Sequence, residues 1–311
     1  MDHRENKPRV AFQGEAGAFS EAAAVQLLGD RIATIPRPTF EATFAAIQEG
    51  AADALLVPVE NSLAGSVVRV YDLLLESELA ITAETILPIE MNLIGCPGAS
   101  LADIRTVSSH PMALAQCEHF FSKHPELKRS PVEDTAGSVR EVLARGDKRY
   151  AAIAGRRAAS RYQGVILAER IQDNADNFTR FVLLIPAQSK GESDPPNSAR
   201  VASPGVTDLM VELRMRQMEH PIPPRMLKMS IAMRLAHRPG SLLSFLEPFA
   251  RHGVNLLKIE SRPIHGRPWE YQFFVDVETE ASPRLEAALK DVQQAAHEIR
   301  VLGLYPAASR S

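Results

Sequence analysis

The sequence lacks the features of a secreted or membrane-spanning protein. Its 311 residues include only two cysteines, Cys96 and Cys117, and these do not form a CxxC motif. Isolated cysteines of this kind are typical of small buried side chains in a reducing compartment. No run of about 18 apolar residues is present to span a bilayer, and the polar start MDHRENKPRV lacks the apolar core of a signal peptide. We therefore expect a cytoplasmic protein with no membrane partner.

Metal-binding motifs and an excess of one charge are also missing. The nine histidines include no HExxH, and His119 and His124 are five residues apart, which would place them on different faces of a helix. We therefore expect no metal site. Lys and Arg total 35 against 38 Asp and Glu, a formal net charge of −3. Nucleic-acid-binding domains usually carry a basic face, so no nucleic-acid partner is expected.

Residues 9–186 contain short apolar runs that alternate with helical patterns. RVAFQG is a predicted strand followed by the helix FSEAAAVQLLG, and ADALLVPVE and IRTVSSH are further strands. Thr39 is a predicted N-cap of a helix that ends at Gly50, and Pro111 suits the first turn of a helix over PMALAQCEHFFSKHP. Strands that alternate with helices of about ten to fifteen residues predict a parallel or mixed α/β sheet.

The chain is too long for most single cores, so several domains are expected. Residues 188–226 are rich in Ser, Pro and Gly and form a predicted linker. From Leu227 the order βαββαβ predicts a ferredoxin-like sandwich of about 80 residues, with Leu242, Phe245 and Phe249 on the inner face of its first helix. Its second helix is predicted over SPRLEAALKDVQQAAHEIR and its last strand over VLGLYP. The predicted domains are residues 8–187 and 227–306.

Small and hydroxyl residues occupy four predicted strand-to-helix junctions: GEAGAFSE, VENSLAGSV, SSHP and EDTAGSV. Ligands of open α/β sheets bind at the carboxyl ends of strands, where helix N-termini attract anions. Gly14 and Gly17 would let the backbone approach a ligand. GEAGAFSE lacks the lysine of a P-loop and the spacing of GxGxxG. Each junction alone is more simply a tight turn, but together they predict a polar cleft for a small anion, with no cofactor.

The stretch NADNFTRFVLLIP places Thr179 and Arg180 directly before the apolar run 181–185, which is a predicted buried strand. One interpretation of this hydroxyl and guanidinium is a strand edge whose polar groups are satisfied locally. The other interpretation is a site where an anion binds and reacts. The junction motifs favour the second interpretation.

These motifs, in this order, resemble the prephenate dehydratase family. The catalytic motifs are GEAGAFSEAA, VPVENSLAGSV, YDLL, SHPMALAQC, TAGS, AAIAG and NFTRFVLL, and PGSLLSFL and ESRP resemble the regulatory ACT domain. The resemblance implies a two-lobed α/β catalytic region similar to periplasmic binding proteins, with the active site between the lobes. It implies a cofactor-free lyase that converts prephenate to phenylpyruvate, water and CO2 in phenylalanine biosynthesis. Family members are usually homodimers or homotetramers.

The resemblance also implies roles for individual residues. The family's essential threonine falls on Thr179. Asn61 and Ser62 are suited to hold the substrate hydroxyl or ring carboxylate by neutral hydrogen bonds, and Arg180 or helix N-termini are suited to hold the pyruvyl carboxylate. Glu60 is a candidate acid if burial keeps its carboxyl protonated, with a helix N-cap as the alternative. The other candidates for the cleft are Phe181, Thr135, His110 and Gly14, of which Thr135, like Ser20, has a helix cap as its alternative role.

The family motifs that bind L-phenylalanine fall in the C-terminal domain. They are Pro239, Gly240, Ser241, Leu242, Leu243, Glu260, Ser261, Arg262 and Pro263. Ser241 stands where many members have Ala, and Asn255 and Leu256 open a strand at the same expected interface. Phenylalanine is therefore the expected allosteric inhibitor. The alternatives are an arogenate dehydratase and a non-catalytic, amino-acid-responsive binding protein.

Overall fold

The computed structural model describes residues 7–187, 209–210, 226–235, 238–264, 270–280, 282–293 and 298–308. The predicted linker 188–226 therefore lies outside the described residues, except for 209, 210 and 226. The chain divides into two compact units. The described residues of the first unit are 7–73, 85–181 and 209–210, and those of the second unit are 74–84, 182–187 and the C-terminal part from 226.

The strands and helices are numbered in chain order. The strands are β1 Arg9–Gln13, β2 Ala33–Arg37, β3 Ala54–Asn61, β4 Gly65–Ser66, β5 Leu79–Pro88, β6 Asn92–Gly95, β7 Thr106–Ser109, β8 Lys128–Pro131, β9 Tyr150–Ala154, β10 Val165–Ala168, β11 Phe178–Pro186, β12 Leu227–Arg234, β13 Asn255–Pro263, β14 Tyr271–Thr279 and β15 Glu298–Pro306. The helices are α1 Phe19–Leu28, α2 Phe40–Gln48, α3 Val68–Glu76, α4 Pro111–Ala115, α5 Glu118–Lys123, α6 Thr135–Arg145, α7 Arg156–Tyr162, α8 Ser241–Arg251 and α9 Ser282–Val292. None of these helices is both long and apolar enough to cross a membrane.

Two mixed sheets form the N-terminal α/β region. The first has the order β2-β1-β3-β11-β5, with β4 paired to β3, and the second has the order β10-β6-β9-β7-β8. β1 is parallel to β2 and β3, and β7 is parallel to β8 and β9, whereas β6 is antiparallel to both of its neighbours. Helices α1 and α2 pack on the first sheet and α6 and α7 on the second. These two lobes confirm the predicted α/β class.

Local sequence signals explain several element boundaries. The Thr39 hydroxyl accepts a hydrogen bond from the Ala42 N–H at 3.1 Å, so Thr39 is the N-cap of α2 as predicted. That helix ends at Gln48, and Gly50 follows with a φ of +64°, which favours glycine. Pro111 is the first residue of α4.

The single helix predicted from Pro111 onwards is wrong, because the structure divides it into α4 and α5. The Asp173 carboxylate accepts hydrogen bonds from the Glu118 and His119 N–H groups, both at 2.9 Å. The Gln116 carbonyl in turn accepts the Asp173 N–H at 2.7 Å. A distant segment therefore caps a second helix start inside the apolar pattern.

The C-terminal residues form the predicted βαββαβ unit, an antiparallel sheet of order β13-β14-β12-β15. Phe245 and Phe249 of α8 are buried in its core, but Leu242 is 36% exposed in the first turn, so its predicted inward position is wrong. Residues 298–300 belong to β15 and not to the preceding helix. Their backbone pairs with residues 232–234 of β12, so they form a strand and not a helix.

The face of this sheet opposite α8 is polar and buried. Met229 and Ile231 of β12 lie in the helix-facing core, so the alternating Lys228 and Ser230 point to the other face. There the Lys228 ammonium contacts the Glu84 carboxylate at 2.6 Å, with side-chain exposures of 9% and 0%. A buried ion pair thus holds the start of β12 against β5 inside the second unit.

Candidate active site

The candidate site forms where the end of β3 meets the start of β11. β3 turns into β4 through a tight hairpin in which Asn61 pairs with Gly65. The Asn61 carbonyl oxygen of the side chain accepts the N–H groups of Leu63 and Ala64 at 3.0 and 2.8 Å. Because a backbone N–H can only donate, these two bonds establish which end of the Asn61 amide is oxygen.

The other end of the Asn61 amide points to Thr179. The Asn61 Nδ2 donates to the Thr179 hydroxyl at 2.9 Å, to the Asn177 Oδ1 at 2.8 Å and to the Phe178 carbonyl at 3.1 Å. Thr179 is 8% exposed. It lies inside β11, because the strand starts at Phe178, one residue before Thr179 and Arg180. Its hydroxyl oxygen accepts from Asn61, which leaves its proton as a donor.

Ser62 fastens the two segments together. Its hydroxyl donates to the Asp176 carbonyl at 2.8 Å and accepts the Phe178 N–H at 2.9 Å, and its own N–H donates to the Phe178 carbonyl at 2.9 Å. Asn61 and Ser62 thus hold Thr179 in place, and their contact with substrate stays a prediction.

Sequence reasoning missed two amide side chains at this site. Asn177 is 2% exposed, and its Nδ2 donates to the Gln116 Oε1 at 3.3 Å. Gln116 reaches this position because it lies at the break between α4 and α5. The available signal was their place in the motifs SHPMALAQC and NFTRFVLL, but the contact depends on a helix break that local patterns do not reveal.

Glu60 and Arg180 form an ion pair beside this network, with 3.7 Å between Oε2 and Nη1. Successive strand residues point to opposite faces, so this pair lies on the other face of β3 and β11 from Asn61 and Thr179. The Glu60 side chain is 38% exposed, so the burial that its acid role required is absent. Its alternative role as a helix N-cap is wrong, because Glu60 lies in β3 and pairs with Ser66.

The remaining predicted cleft residues have mostly structural partners. His110 is the N-cap of α4, where its Nδ1 accepts the Met112 N–H at 3.2 Å. Asp134, and not Thr135, caps α6. Phe181 is 2% exposed, in the core. Gly14 has a φ of +118°, and a Cβ there would lie 3.2 Å from the Ala18 Cβ, so a side chain would be strained.

Ser20 does not cap α1 either, because the N-cap residue is Ala18. The loop before this helix approaches the second lobe closely. A Cβ on Gly17 would lie 2.8 Å from the Ala158 Cα, and the φ of Gly17 is +91°. Gly17 therefore allows the two lobes to pack closely at this point.

A buried carboxylate joins the two lobes. Glu21 is 4% exposed and accepts hydrogen bonds from the Gly17 N–H at 2.6 Å, the Thr34 hydroxyl at 2.9 Å and the Arg157 guanidinium at 3.1 Å. Burial alone would raise the pKa of Glu21, but these hydrogen bonds and the Arg157 charge outweigh it and lower the pKa below its usual range. Glu21 is therefore an ionised link between α1 and α7.

Both cysteines lie in the protein interior. Cys96 and Cys117 are free and buried. Burial, followed by the charge of Asp173, raises the pKa of the Cys117 thiol to about 12. Among the residues that the structure describes, no group of three His, Cys, Asp or Glu side chains is placed to hold a metal ion.

The predicted effector residues lie at three places in the C-terminal unit. Gly240, with a φ of +84°, precedes α8, whose first residue is Ser241; Leu242 and Leu243 follow and are exposed. Asn255 and Leu256 line a cavity of about 460 Å³ between the end of α8 and the start of β13. The segment Glu260, Ser261, Arg262 and Pro263 ends β13, where Glu260 contacts Lys258 at 3.5 Å.

Comparisons with known proteins agree with this architecture. A family model described as Prephenate dehydratase matches residues 10–189, and a model described as ACT domain matches residues 229–296. An arogenate dehydratase/prephenate dehydratase from Arabidopsis thaliana is 36% identical over 320 residues, which cover 98% of this chain and 74% of the relative.

Two solved structures are similar over nearly the whole chain. A prephenate dehydratase from Arthrobacter aurescens in complex with L-Phe is 31% identical, with a TM-score of 0.76 over 96% of this chain and 89% of that chain. A protein described as a novel type of quorum quenching acylase is 32% identical, with a TM-score of 0.78 over 97% and 98% of the two chains.

Proposed function

Because the chain belongs to the prephenate dehydratase family, whose members are carbon–oxygen lyases, we propose that it converts prephenate to phenylpyruvate, water and CO2. This reaction is a late step of phenylalanine biosynthesis. The observation that carries the proposal is the buried Thr179 hydroxyl, which accepts from the Asn61 Nδ2 at 2.9 Å and keeps its proton for a ligand.

The reaction needs few catalytic groups. The bond between the ring and its carboxylate breaks, and its electron pair moves through the ring to expel the hydroxyl on the opposite carbon. The products are CO2, an aromatic ring and hydroxide, which leaves as water after it takes one proton. No base is required, because the electrons come from the carboxylate. The protein has to orient the substrate and donate to the leaving oxygen.

In the proposed reaction, Thr179 makes that hydrogen bond, directly or through a water molecule. A threonine hydroxyl is a weak acid, so it acts mainly by stabilising charge on the departing oxygen. The hydrogen bond from Asn61 strengthens it as a donor, because a hydroxyl that accepts a hydrogen bond is polarised. Gln116 is a second neutral group in the same network.

Neutral donors suit the ring carboxylate as well. A salt bridge to this carboxylate would stabilise the ground state, which has to lose CO2. Around Thr179 the structure places amides and hydroxyls, while Arg180 pairs with Glu60 on the opposite strand face. This arrangement favours departure of CO2.

For the pyruvyl carboxylate we propose a helix N-terminus in place of Arg180. The N-terminus of α6 already binds the Asp134 carboxylate at the Gly137 N–H, 2.6 Å away, so the α6 junction with Thr135 is less suited to an anion. α1 has no side-chain cap and follows the loop that contains Gly14. Its first N–H groups can donate hydrogen bonds to a carboxylate without competition from a capping side chain.

We further propose that L-phenylalanine inhibits the enzyme through its ACT domain. Support comes from the matched ACT model and from the Arthrobacter aurescens relative solved with L-Phe. In this chain the cavity beside Asn255 and Leu256 has the volume of a small-molecule site. The exposed Leu242 and Leu243 fit an interface between two ACT domains, and we propose a homodimer or homotetramer.

The proposed domain boundaries remain residues 8–187 for catalysis, 188–226 for the linker and 227–306 for regulation. Support for this division comes from the two family models, which match residues 10–189 and 229–296. A variant that ends at residue 187 tests whether the proposed catalytic domain folds and is active by itself. The second unit, however, includes residues 74–84 with the C-terminal part, so we expect the truncated protein to be less stable.

The decisive assay offers prephenate and arogenate separately to the purified protein, each with and without L-phenylalanine. Phenylpyruvate from prephenate, suppressed by phenylalanine, is the expected result. Turnover of arogenate alone would mean that arogenate is the substrate, while the proposed type of reaction would stay the same. The structural relative described as a quorum quenching acylase makes acylase activity a further arm of the assay. Phenylalanine binding without any turnover would indicate a binding protein.

A further inference from the structure

The hydrogen bonds around Thr179 form a chain of amides with a defined direction. The chain starts at the backbone N–H groups of Leu63 and Ala64, which require an acceptor, so the Asn61 Oδ1 faces them. The Asn61 Nδ2 then donates to the Asn177 Oδ1 at 2.8 Å. Since the oxygen of Asn177 is used in this way, its Nδ2 is turned to Gln116 and donates at 3.3 Å.

This direction determines what the site offers to a ligand. The Gln116 Oε1 accepts from Asn177, so the Gln116 NH2 group is turned away from the network as a donor. The Thr179 oxygen accepts from Asn61, so its proton is also a donor. Both groups therefore present hydrogens, which suits the oxygen-rich substrate of the proposed function.

We propose that Asn177 is a positioning residue, whose amide transmits the polarity set at Leu63 and Ala64 to Gln116. Asn177 is 2% exposed, and its amide is engaged at both ends. It does not contact the substrate. Its contribution is to prevent the Gln116 amide from rotating to present an oxygen.

The variant Asn177→Asp tests this role because a carboxylate accepts but does not donate. It keeps the hydrogen bond from Asn61, and the Gln116 amide has to turn its NH2 group to the carboxylate. Gln116 then presents oxygen to the substrate, and we expect kcat to fall at least tenfold. Asn174→Asp is the matched control, because it adds the same charge to the same segment and keeps its bond to the Asp176 N–H. The control should stay within about twofold of wild type.

A double-mutant cycle separates positioning from a merely structural role. If Asn177 acts through Gln116, Asn177→Asp should lower kcat by less than threefold when Gln116→Ala is already present. An equal loss in both backgrounds would overturn the proposal, as would full activity of Asn177→Asp. If that variant does not fold, Asn177→Ser, which is neutral and too short to reach Gln116, should give a smaller loss that also disappears in the Gln116→Ala background.

A spectroscopic readout makes the test independent of turnover. The kcat measurements rest on the proposed function. If the wild-type protein made no phenylpyruvate, the proposed function would be refuted, but the proposed role of Asn177 would not. In ¹⁵N-glutamine-labelled protein, the side-chain amide signals of Gln116, assigned from Gln116→Ala, should shift downfield in Asn177→Asp because the NH2 group now bonds a carboxylate. Unchanged signals would refute the relay even in an active enzyme.

Discussion

Two buried polar clusters, one in each unit of the molecule, are built in different ways. Around Thr179 the first unit joins neutral amides and hydroxyls, in which each oxygen or N–H has a defined direction. In the second unit the buried polar face is charged: Lys228 pairs with Glu84, and Ser230 contacts Asp276 and Tyr305 at 2.5 and 2.6 Å.

The difference follows from what each cluster does. A positive charge beside the ring carboxylate of the proposed substrate would stabilise the group that has to leave as CO2. Neutral donors with a defined direction are therefore preferred there. The ion pair of the second unit takes no part in the proposed reaction. It forms at 2.6 Å with both side chains almost fully buried. The first cluster should therefore be sensitive in rate and the second in stability.

The largest effect on stability is expected for Lys228→Met. The variant leaves the Glu84 carboxylate, which is 0% exposed, without its cation. Such a loss typically costs about 3–5 kcal/mol. Urea unfolding followed by the one tryptophan, Trp269, which lies in the C-terminal part of the sequence, measures it.

Two further variants sharpen this measurement. Adding Glu84→Gln to Lys228→Met should recover most of the loss, because position 84 then carries no charge that lacks its cation. Arg234→Met removes the ion pairs that Arg234 of the same strand forms with the exposed Glu270 and Glu298, and it should cost at most about 1 kcal/mol. A cost for Lys228→Met as small as that of Arg234→Met would contradict the account of this cluster.

A smaller effect, dependent on pH, is expected for Glu21→Gln in the first unit. The pKa of Glu21 is lowered in the folded protein, so its contribution is complete above the unfolded value of about 4.3 and is lost as the pH falls through the folded value. Near pH 7 the variant should lose about 1–3 kcal/mol, because the Gly17, Thr34 and Arg157 donors are left incompletely paired.

The pH profile of thermal unfolding checks this sign. The difference in Tm between wild type and Glu21→Gln should be largest at neutral pH and shrink below about pH 4. Glu49→Gln is the control, because Glu49 is 56% exposed in its pair with Arg37. A difference that grows on acidification would show that Glu21 is not the ionised link described here.

The smallest effect is expected for Ser62→Ala. It removes the hydroxyl that bonds the Asp176 carbonyl and the Phe178 N–H, which should cost about 1 kcal/mol. Because the backbone bond between Ser62 and Phe178 remains, kcat should fall less than tenfold. Ser122→Ala, which removes an exposed hydroxyl bonded to the His119 carbonyl, should change neither quantity. If Ser62→Ala and Ser122→Ala had the same stability and the same kcat, Ser62 would have no role in holding the site together.

Much of the fold could be predicted from local signals. Thr39 and Pro111 mark helix starts through capping and fixed φ, and the order βαββαβ was visible in the apolar periodicity. Strands β5, β6 and β10 were not identified, because their apolar runs lack a clear boundary signal. The exposure of Leu242 also escaped prediction, since periodicity indicates a face but not where the core ends.

The site was predictable in part, because Thr179, Asn61 and Ser62 meet as their motifs implied. Arg180 was expected beside Thr179, but strand alternation turns it to the opposite face. Gln116 was missed because a long-range cap from Asp173 breaks the helix there. Local sequence patterns contain no information on such a contact.

The central claim, that Thr179 donates to the leaving oxygen, is tested most directly by kcat for phenylpyruvate formation in Thr179→Val and Thr179→Ser. Valine has a similar shape but no hydroxyl, and loss of one such donor costs about 3–4 kcal/mol, or a hundredfold or more in rate. Serine keeps the hydroxyl and should stay within tenfold of wild type. A folded Thr179→Val variant that retains more than a tenth of the wild-type kcat would contradict the account.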